Sequence, residues 1–313
     1  MKKNSLKIAV VCGAVVLASM GFSETYAVCM GINKYPVPVD KDGSPFKDKE
    51  GNLVSANLNG AVNDASSMRE LLVGKFSVKT ENVKFLTDAD ANAAGFLDAV
   101  RWLIKNAKAG DNVVFTYSGH GSQIPDKTQP SGKASVIVLS DNKLVTGNFF
   151  KEVSSSMKKA GINATFVFDS CFAGAMNRDP KIDKYSQVKT KSLKSDDIYM
   201  KKAKLIAKTD LSGILASAKA LPSKQDAKGE VAFLFASKDD ETSSDLTFKD
   251  ATKPARGLFS LLITSVLTDV PTAPLKDLID AVKKAVKENG FKQTPMSEFS
   301  SEDRAKAPLV TGG

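Results

Sequence analysis

The sequence predicts an α/β fold with a mostly parallel sheet that is flanked by helices on both faces. Short apolar runs typical of buried strands alternate with longer runs of helical periodicity, which is the pattern of parallel βαβ units. Two of the apolar runs, 113–117 (VVFTY) and 165–168 (TFVF), lead into a reactive residue and then into small residues. Because ligands bind at the carboxyl ends of the strands in such sheets, we expect a functional site at this edge.

The first half of the chain contains most of the predicted sheet. Each predicted strand is rich in β-branched and aromatic residues, and each predicted helix repeats apolar residues at intervals of three and four. The helix after the first strand, for example, places Ala61, Ala65, Met68 and Leu72 on one face. In chain order the elements are the strand 26–32, this helix, the strand 83–86, the helix 92–107, the strand 112–117, the apolar run 136–139, the helix 148–159 and the strand 165–168.

The second half predicts two further strands, at 213–216 and 231–235. Residues 258–263 are too apolar for a surface helix, so we expect them to be buried. The last helix is predicted to begin at Pro274, a favourable first-turn residue, and to end at Asn289 and Gly290.

The N-terminus predicts an exported protein. A basic start is followed by the apolar residues 8–22, a stretch too short for a membrane span and typical of a secretory signal peptide. Cleavage after Ser23 would remove residues 1–23 and leave one domain, 24–313, in the periplasm or outside the cell, with no stable membrane insertion. An uncleaved anchor is the alternative.

The net charge of +9 is concentrated in one segment. Residues 181–208 hold nine lysines against three aspartates, and we interpret them as a solvated, lysine-rich insertion. The segment has no arginine, and its only aromatic residues are Tyr185 and Tyr199. This composition argues against a nucleic-acid partner.

A cysteine and a histidine follow the two reactive runs. His120 is the only histidine, and an imidazole near Cys171 would take the thiol proton and later protonate a leaving amine. The amides of Gly121 and Cys171 could stabilise an oxyanion.

Cys29 lies in the middle of a predicted strand, so we expect it to be free. Zinc is disfavoured because spaced ligand pairs are missing. A core cysteine and a turn histidine remain the structural alternative.

Two motifs then resemble a known family. Residues 117–123 (YSGHGSQ) and 169–174 (DSCFAG) resemble the catalytic histidine and cysteine motifs of metacaspases, within the caspase-like cysteine peptidases. The resemblance extends over essentially the whole mature chain and implies a caspase-like sheet. Four further matches occur in the family's order, at 31–35, 58–65, 236–243 and 257–259.

The resemblance implies a cysteine endopeptidase that works through a thioester acyl-enzyme. In it, Cys171 is the nucleophile, His120 is the general base and acid, and the amide of Gly121 lies in the oxyanion hole. Asp64 and Asp169 are implied to line the primary pocket. Two carboxylates select a cationic side chain, so cleavage after Arg or Lys is expected, of peptides or proteins with basic residues. For Asp64, a favourable position at a helix N-terminus is the alternative.

The sequence departs from the family where metacaspases typically carry acidic residues that bind calcium. Residues 124–135 contain one acid and two lysines. We therefore expect no cofactor and no metal, or at most a weak Ca²⁺ site to which Asp141 or Asp179 contributes.

The resemblance gives the lysine-rich segment a second interpretation. An enzyme that cuts after basic residues could cleave itself between 181 and 208. Two other functions stay open: a catalytically idle caspase-like module that binds peptides, and a cysteine acyltransferase or transpeptidase that uses the same dyad.

Overall fold

The computed structural model describes residues 23–171, 184–222 and 228–311, so the predicted signal segment lies almost wholly outside it. The strands are β1 (Thr25–Gly31), β2 (Val83–Thr87), β3 (Asn112–Ser118), β4 (Gly121–Pro125), β5 (Lys133–Val138), β6 (Lys143–Thr146), β7 (Asn163–Asp169), β8 (Tyr185–Thr190), β9 (Lys204–Leu205), β10 (Val231–Phe235), β11 (Ser244–Phe248), β12 (Arg256–Gly257) and β13 (Met296–Phe299). The helices are α1 (Ala61–Gly74), α2 (Ala93–Asn106), α3 (Gly147–Lys159), α4 (Ile198–Lys202), α5 (Lys208–Lys219), α6 (Leu258–Asp269), α7 (Leu275–Glu288) and α8 (Glu302–Lys306).

The central sheet has six strands in the order β13-β10-β7-β3-β1-β2. All neighbours pair in parallel except β13, which runs antiparallel to β10 at one edge. The predicted mostly parallel α/β fold is therefore confirmed. Two smaller sheets, β12-β11-β8 and β4-β5-β6-β9, lie outside this sheet.

Helices cover both faces of the central sheet, because successive side chains of its strands point in opposite directions. Val28 and Met30 belong to a core that includes Phe96 of α2, whereas Ala27 and Cys29 belong to a second core with Leu72 of α1. The second core also holds apolar residues of α6 and α7. Strands buried on both sides explain the nearly continuous apolar runs of the sequence.

Three sequence predictions are wrong. Residues 213–216 lie within α5 and not in a strand, since a four-residue apolar run is too short to separate helix from strand. A short helix, α8, follows the one predicted to be last. The described part of 181–208 contains β8, α4 and β9 and is not simply a solvated loop, because Lys191 is fully buried.

Two further predictions concern the cysteines and the membrane. Cys29 and Cys171 are both free and buried, as expected. Within the described ranges, no helix is long and apolar enough to cross a bilayer.

Candidate active site

The sheet register brings His120 and Cys171 to the same edge. β3 and β7 are parallel neighbours in which Ser118 is paired with Asp169. His120 and Cys171 each follow two residues after this pair, and both are buried. The two strands therefore deliver the candidate base and the candidate nucleophile to one side of the sheet.

A lysine of the chain itself fills the pocket beside them. The Nζ atom of Lys191 lies 2.9 Å from Oδ2 of Asp64 and 3.0 Å from Oδ2 of Asp169. It also donates to Oγ of Ser118 at 2.8 Å. An ammonium has three protons to donate, and each has an acceptor here.

A second buried cation faces this pocket. Arg256 donates from Nε to Oδ1 of Asp64 at 2.8 Å. Burial alone would lower the pKa of Lys191, but the carboxylates of Asp169 and Asp64 raise it above its ordinary value. Burial raises the pKa of Asp64, and the Lys191 ammonium opposes that rise. Lys191 is therefore held as a cation.

The backbone of Lys191 is bound as firmly as its side chain. Its carbonyl oxygen accepts from the amide of Gly121 at 2.9 Å and from the amide of Cys171 at 3.2 Å. Its own amide donates to the carbonyl of Ser243 at 3.1 Å. Two backbone donors that meet at one carbonyl oxygen have the geometry of an oxyanion hole.

The chain lies in an extended, strand-like path on both sides of Lys191. Before it, β8 pairs antiparallel with β11. After it, Leu193 donates to the carbonyl of Gly121 at 3.0 Å, and its own carbonyl accepts from Oγ of Ser122 at 2.6 Å. Addition of a strand to an exposed edge is a common way of binding a peptide.

The second residue before Lys191 also has partners on the site. Nζ of Lys189 donates to the carbonyl of Asn57 at 2.9 Å and to Oδ1 of Asn59 at 3.0 Å. Side chains two apart in an extended segment point to the same side, so the side chains of Lys189 and Lys191 both face the site.

The imidazole of His120 is oriented by a backbone carbonyl. Its Nε2 atom lies 2.6 Å from the carbonyl oxygen of Ala56, which can only accept, so the Nε2 proton is assigned to this bond. Nδ1 is buried and has no hydrogen-bond partner. Burial lowers the pKa of His120 to about 4, although the Ala56 carbonyl and the Lys191 backbone oppose the decrease. The ring is thus neutral, with Nδ1 free to accept a proton.

The thiol of Cys171 faces Ser243 in this state. Sγ lies 3.4 Å from the carbonyl oxygen and 3.3 Å from Oγ of Ser243, and it also accepts from the Ser243 amide. Burial raises the pKa of the thiol to about 12. The pair is therefore at rest as a thiol and a neutral imidazole, without a hydrogen bond between the two side chains.

Comparison with known proteins places this arrangement in a family. A family profile described as "Caspase domain" matches residues 24–306. The chain belongs to the caspase domain family.

Two relatives agree with this assignment, and a solved structure shares the fold. The chain is 28% identical over 255 residues to Metacaspase-1B of Neurospora crassa, covering 72% of this chain and 59% of the relative. It is 33% identical over 134 residues to Metacaspase-6 of Arabidopsis thaliana, covering 40% and 36%. In both cases it spans less than two thirds of the relative's length. A crystal structure of protein GSU0716 from Geobacter sulfurreducens matches with a TM-score of 0.59 at 18% identity, covering 91% of this chain and 97% of that chain.

This caspase domain brings together all five site residues that the sequence singled out. The amides of Gly121 and Cys171 donate to the Lys191 carbonyl, and Asp64 and Asp169 contact its ammonium. His120 precedes Gly121 at the same edge of the sheet and is buried. Asp64 points inward from the first turn of α1 and does more than face the helix N-terminus.

Other site residues of the caspase domain were not foreseen. Lys191 looks like its neighbours in a lysine-rich stretch, and Arg256 and Ser243 are brought in only by the fold. Gly257 belongs to the matched residues 257–259, and its amide donates to Oδ1 and Oδ2 of Asp64, both at 3.0 Å.

The structure adds no support for the weak calcium site to which Asp141 or Asp179 would contribute. Oδ2 of Asp141 accepts from the amide of Ala93, at the start of α2. Asp179 lies outside the described residues. In the part of the chain that the structure describes, no group of three or more His, Cys, Asp or Glu residues is placed to hold a metal.

Proposed function

We propose that this chain is a cysteine endopeptidase that cleaves peptide bonds after lysine or arginine, with Cys171 as nucleophile and His120 as base. One observation carries the proposal: Lys191 is bound as a substrate residue would be. Its ammonium lies between Asp64 and Asp169, and its carbonyl oxygen lies between the amides of Gly121 and Cys171.

The reaction starts from a neutral pair. The Cys171 side chain turns from Ser243 toward the carbonyl carbon, and Nδ1 of His120 takes the thiol proton as sulfur attacks. The two amides stabilise the oxyanion, each contributing about 3 kcal/mol to lowering the barrier. His120 then protonates the leaving amine, and a thioester to Cys171 remains. Water, deprotonated by His120, hydrolyses it and restores the thiol.

The pocket supports arginine as well as lysine. Oδ1 of Asp169 is buried without a hydrogen-bond partner, while Oδ2 accepts from Lys191. A guanidinium has five N–H donors, so it could use this remaining acceptor. An aspartate side chain would meet two carboxylates and be repelled.

The same geometry supports self-cleavage at the bond between Lys191 and Ser192. This is the only lysine in the described part of 181–208 whose carbonyl oxygen lies between the two amides. In the uncut chain it also blocks the pocket, so cleavage or displacement of this segment would have to precede the entry of other substrates.

Peptide hydrolysis tests the activity directly. Fluorogenic peptides ending in Arg, Lys or Asp are incubated with the full chain, with calcium and with chelator. We expect hydrolysis after Arg and Lys only, equal in both buffers because residues 124–135 carry a single acid. Cleavage after Asp, or equal rates in the Cys171→Ala chain, would overturn the proposal. An added amine acceptor separates hydrolysis from acyl transfer.

Mass spectrometry tests self-cleavage. The wild-type chain is expected to yield a fragment that begins at Ser192, and Cys171→Ala is expected to stay intact. Lys191→Met should block this cut, whereas the same change at an exposed lysine of α4, Lys201→Met, should leave it in place. A fragment starting at Ser192 in the Cys171→Ala chain would point to another protease.

A further inference from the structure

Tyr199 lies beyond the proposed cut, yet it contacts the loop that orients His120. It belongs to α4 and is 2% exposed. Its hydroxyl accepts from the amide of Ala56 at 2.8 Å and donates to the carbonyl of Val54 at 3.1 Å. One oxygen atom thus ties together two peptide groups of the loop.

The tied loop is the one whose carbonyl meets the imidazole. Ala56 offers its amide to Tyr199 and its carbonyl to Nε2 of His120, so the two bonds are made by one residue. Ala56 itself is buried, whereas its neighbours Ser55 and Asn57 are exposed.

We infer that Tyr199 is a positioning residue for the proposed reaction: by fixing Ala56, its hydroxyl keeps the proton of His120 on Nε2 and leaves Nδ1 free to accept the thiol proton. The catalytic part of this inference rests on the proposed function, whereas the hydrogen bonds that link Tyr199, Ala56 and His120 do not. A partner that fixes the tautomer of a histidine controls which nitrogen acts as the base.

Tyr199 and Ala56 lie on opposite sides of the proposed cut. A cut after Lys191 places α4 in the downstream fragment and the Ala56 loop in the upstream one. The downstream fragment would then supply a group that the catalytic histidine needs.

Because His120 is the only histidine, nitrogen NMR of the imidazole reports on it without ambiguity. We compare Tyr199→Phe with its parent in the Cys171→Ala chain, which keeps the Lys191 bond intact. The parent should show one tautomer, with the proton on Nε2. In Tyr199→Phe the Nδ1 and Nε2 shifts should move toward each other, as exchange between tautomers produces. Tyr26→Phe, at a tyrosine on β1 far from the loop, should match the parent.

Kinetics supply the second arm. With Cys171 present, Tyr199→Phe should lower kcat on an arginine peptide by about 10- to 100-fold, the effect of a displaced catalytic group, with KM nearly unchanged. If Tyr199→Phe does not fold, Asp197→Ala replaces it, since Asp197 caps α4 by accepting from the Tyr199 amide. That variant should shift the same signals in the same direction.

The outcomes separate the two proposals. Unchanged imidazole shifts in a folded Tyr199→Phe chain would overturn the positioning role, even if kcat fell. A wild-type chain without activity on any peptide would overturn the proposed function, while the NMR comparison would still decide the role of Tyr199.

Discussion

Gly257 forms the wall of the pocket that holds the Lys191 ammonium. A Cβ atom at this position would overlap Nζ of Lys191 and the Oδ2 atoms of Asp169 and Asp64. The φ angle of Gly257 is −66°, which any residue adopts, so the effect of a side chain here is purely steric. We predict that Gly257→Ala lowers kcat/KM on lysine and arginine peptides by about 100-fold, measured by steady-state kinetics.

Gly74 provides the control for this substitution. It lies exposed at the end of α1, and a Cβ there would meet nothing within 4 Å. Gly74→Ala should keep wild-type kinetics. If Gly257→Ala kept them as well, basic side chains would not enter where Lys191 now lies.

His120 should make the stability of the fold sensitive to acid. Its pKa falls from 6.5 to about 4 on burial, so the unfolded chain takes up the proton first as the pH drops. The stabilisation due to the neutral ring is complete above about pH 6.5 and is lost as the pH falls toward 4. Between pH 7 and pH 4, wild type should lose about 3 kcal/mol more than His120→Gln.

Urea unfolding at several pH values measures this difference. Carboxylates elsewhere titrate in both proteins, so the comparison isolates the single histidine. Parallel pH curves for wild type and His120→Gln would mean that the imidazole is not buried as a neutral group.

Residue chemistry explains which side chains could be found from the sequence. His120, Cys171, Asp64 and Asp169 have reactive or charged groups at predicted strand or helix ends, where a buried polar group needs a reason. Lys191 carries no such signal, because its identity as the buried lysine depends on where the fold places its carbonyl and ammonium. Arg256 depends in the same way on the pairing of β12 with β11.

At the scale of elements, the apolar pattern of the sequence predicted the central strands. It did not predict strands whose conformation depends on pairing with another strand. The buried strands β1, β3, β7 and β10 are apolar runs that can be recognised in the sequence. β8 reads YSQVKT and is polar along most of its length, so its strand conformation comes from hydrogen bonds to β11. Nothing in β8 alone separates it from a loop.

Residues 213–216 belong to α5, and the glycine among them leads to a prediction about this helix. Gly213 is an exposed residue inside this helix, and a Cβ there would meet nothing within 4 Å. Glycine in a helix interior costs about 0.5–1 kcal/mol relative to alanine. Gly213→Ala should therefore raise the free energy of unfolding by about that amount, measured by urea denaturation.

Gly229 is the opposite case and serves as a contrast. A Cβ there would collide with backbone atoms of Gly161 and Ile162, which have no flexible end to move away. Gly229→Ala should destabilise the fold. If Gly213→Ala destabilised it too, residues 208–219 would not be helical in solution.

At the scale of the whole molecule, the alternation of strands and helices was sufficient to predict the parallel sheet. It did not predict that the sheet is shared across the proposed cut. β7 lies before Lys191 and pairs with β10 after it, and β8 before the cut pairs with β11 after it. Both apolar cores also draw residues from the two sides, such as Phe166 with Phe233 and Val114 with Phe259.

Cleavage after Lys191 should therefore leave one particle and not two. The cut breaks a single peptide bond at the carboxyl edge of the sheet, whereas separation would expose both cores and the unpaired edges of β7 and β10 to water, at about 25 cal/mol per Å² of apolar surface. We predict that the fragments ending at Lys191 and starting at Ser192 co-elute in gel filtration at neutral pH and separate only in denaturant. The uncut Lys191→Met chain gives the reference elution volume. Two peaks at micromolar concentration without denaturant would contradict a sheet that both fragments share.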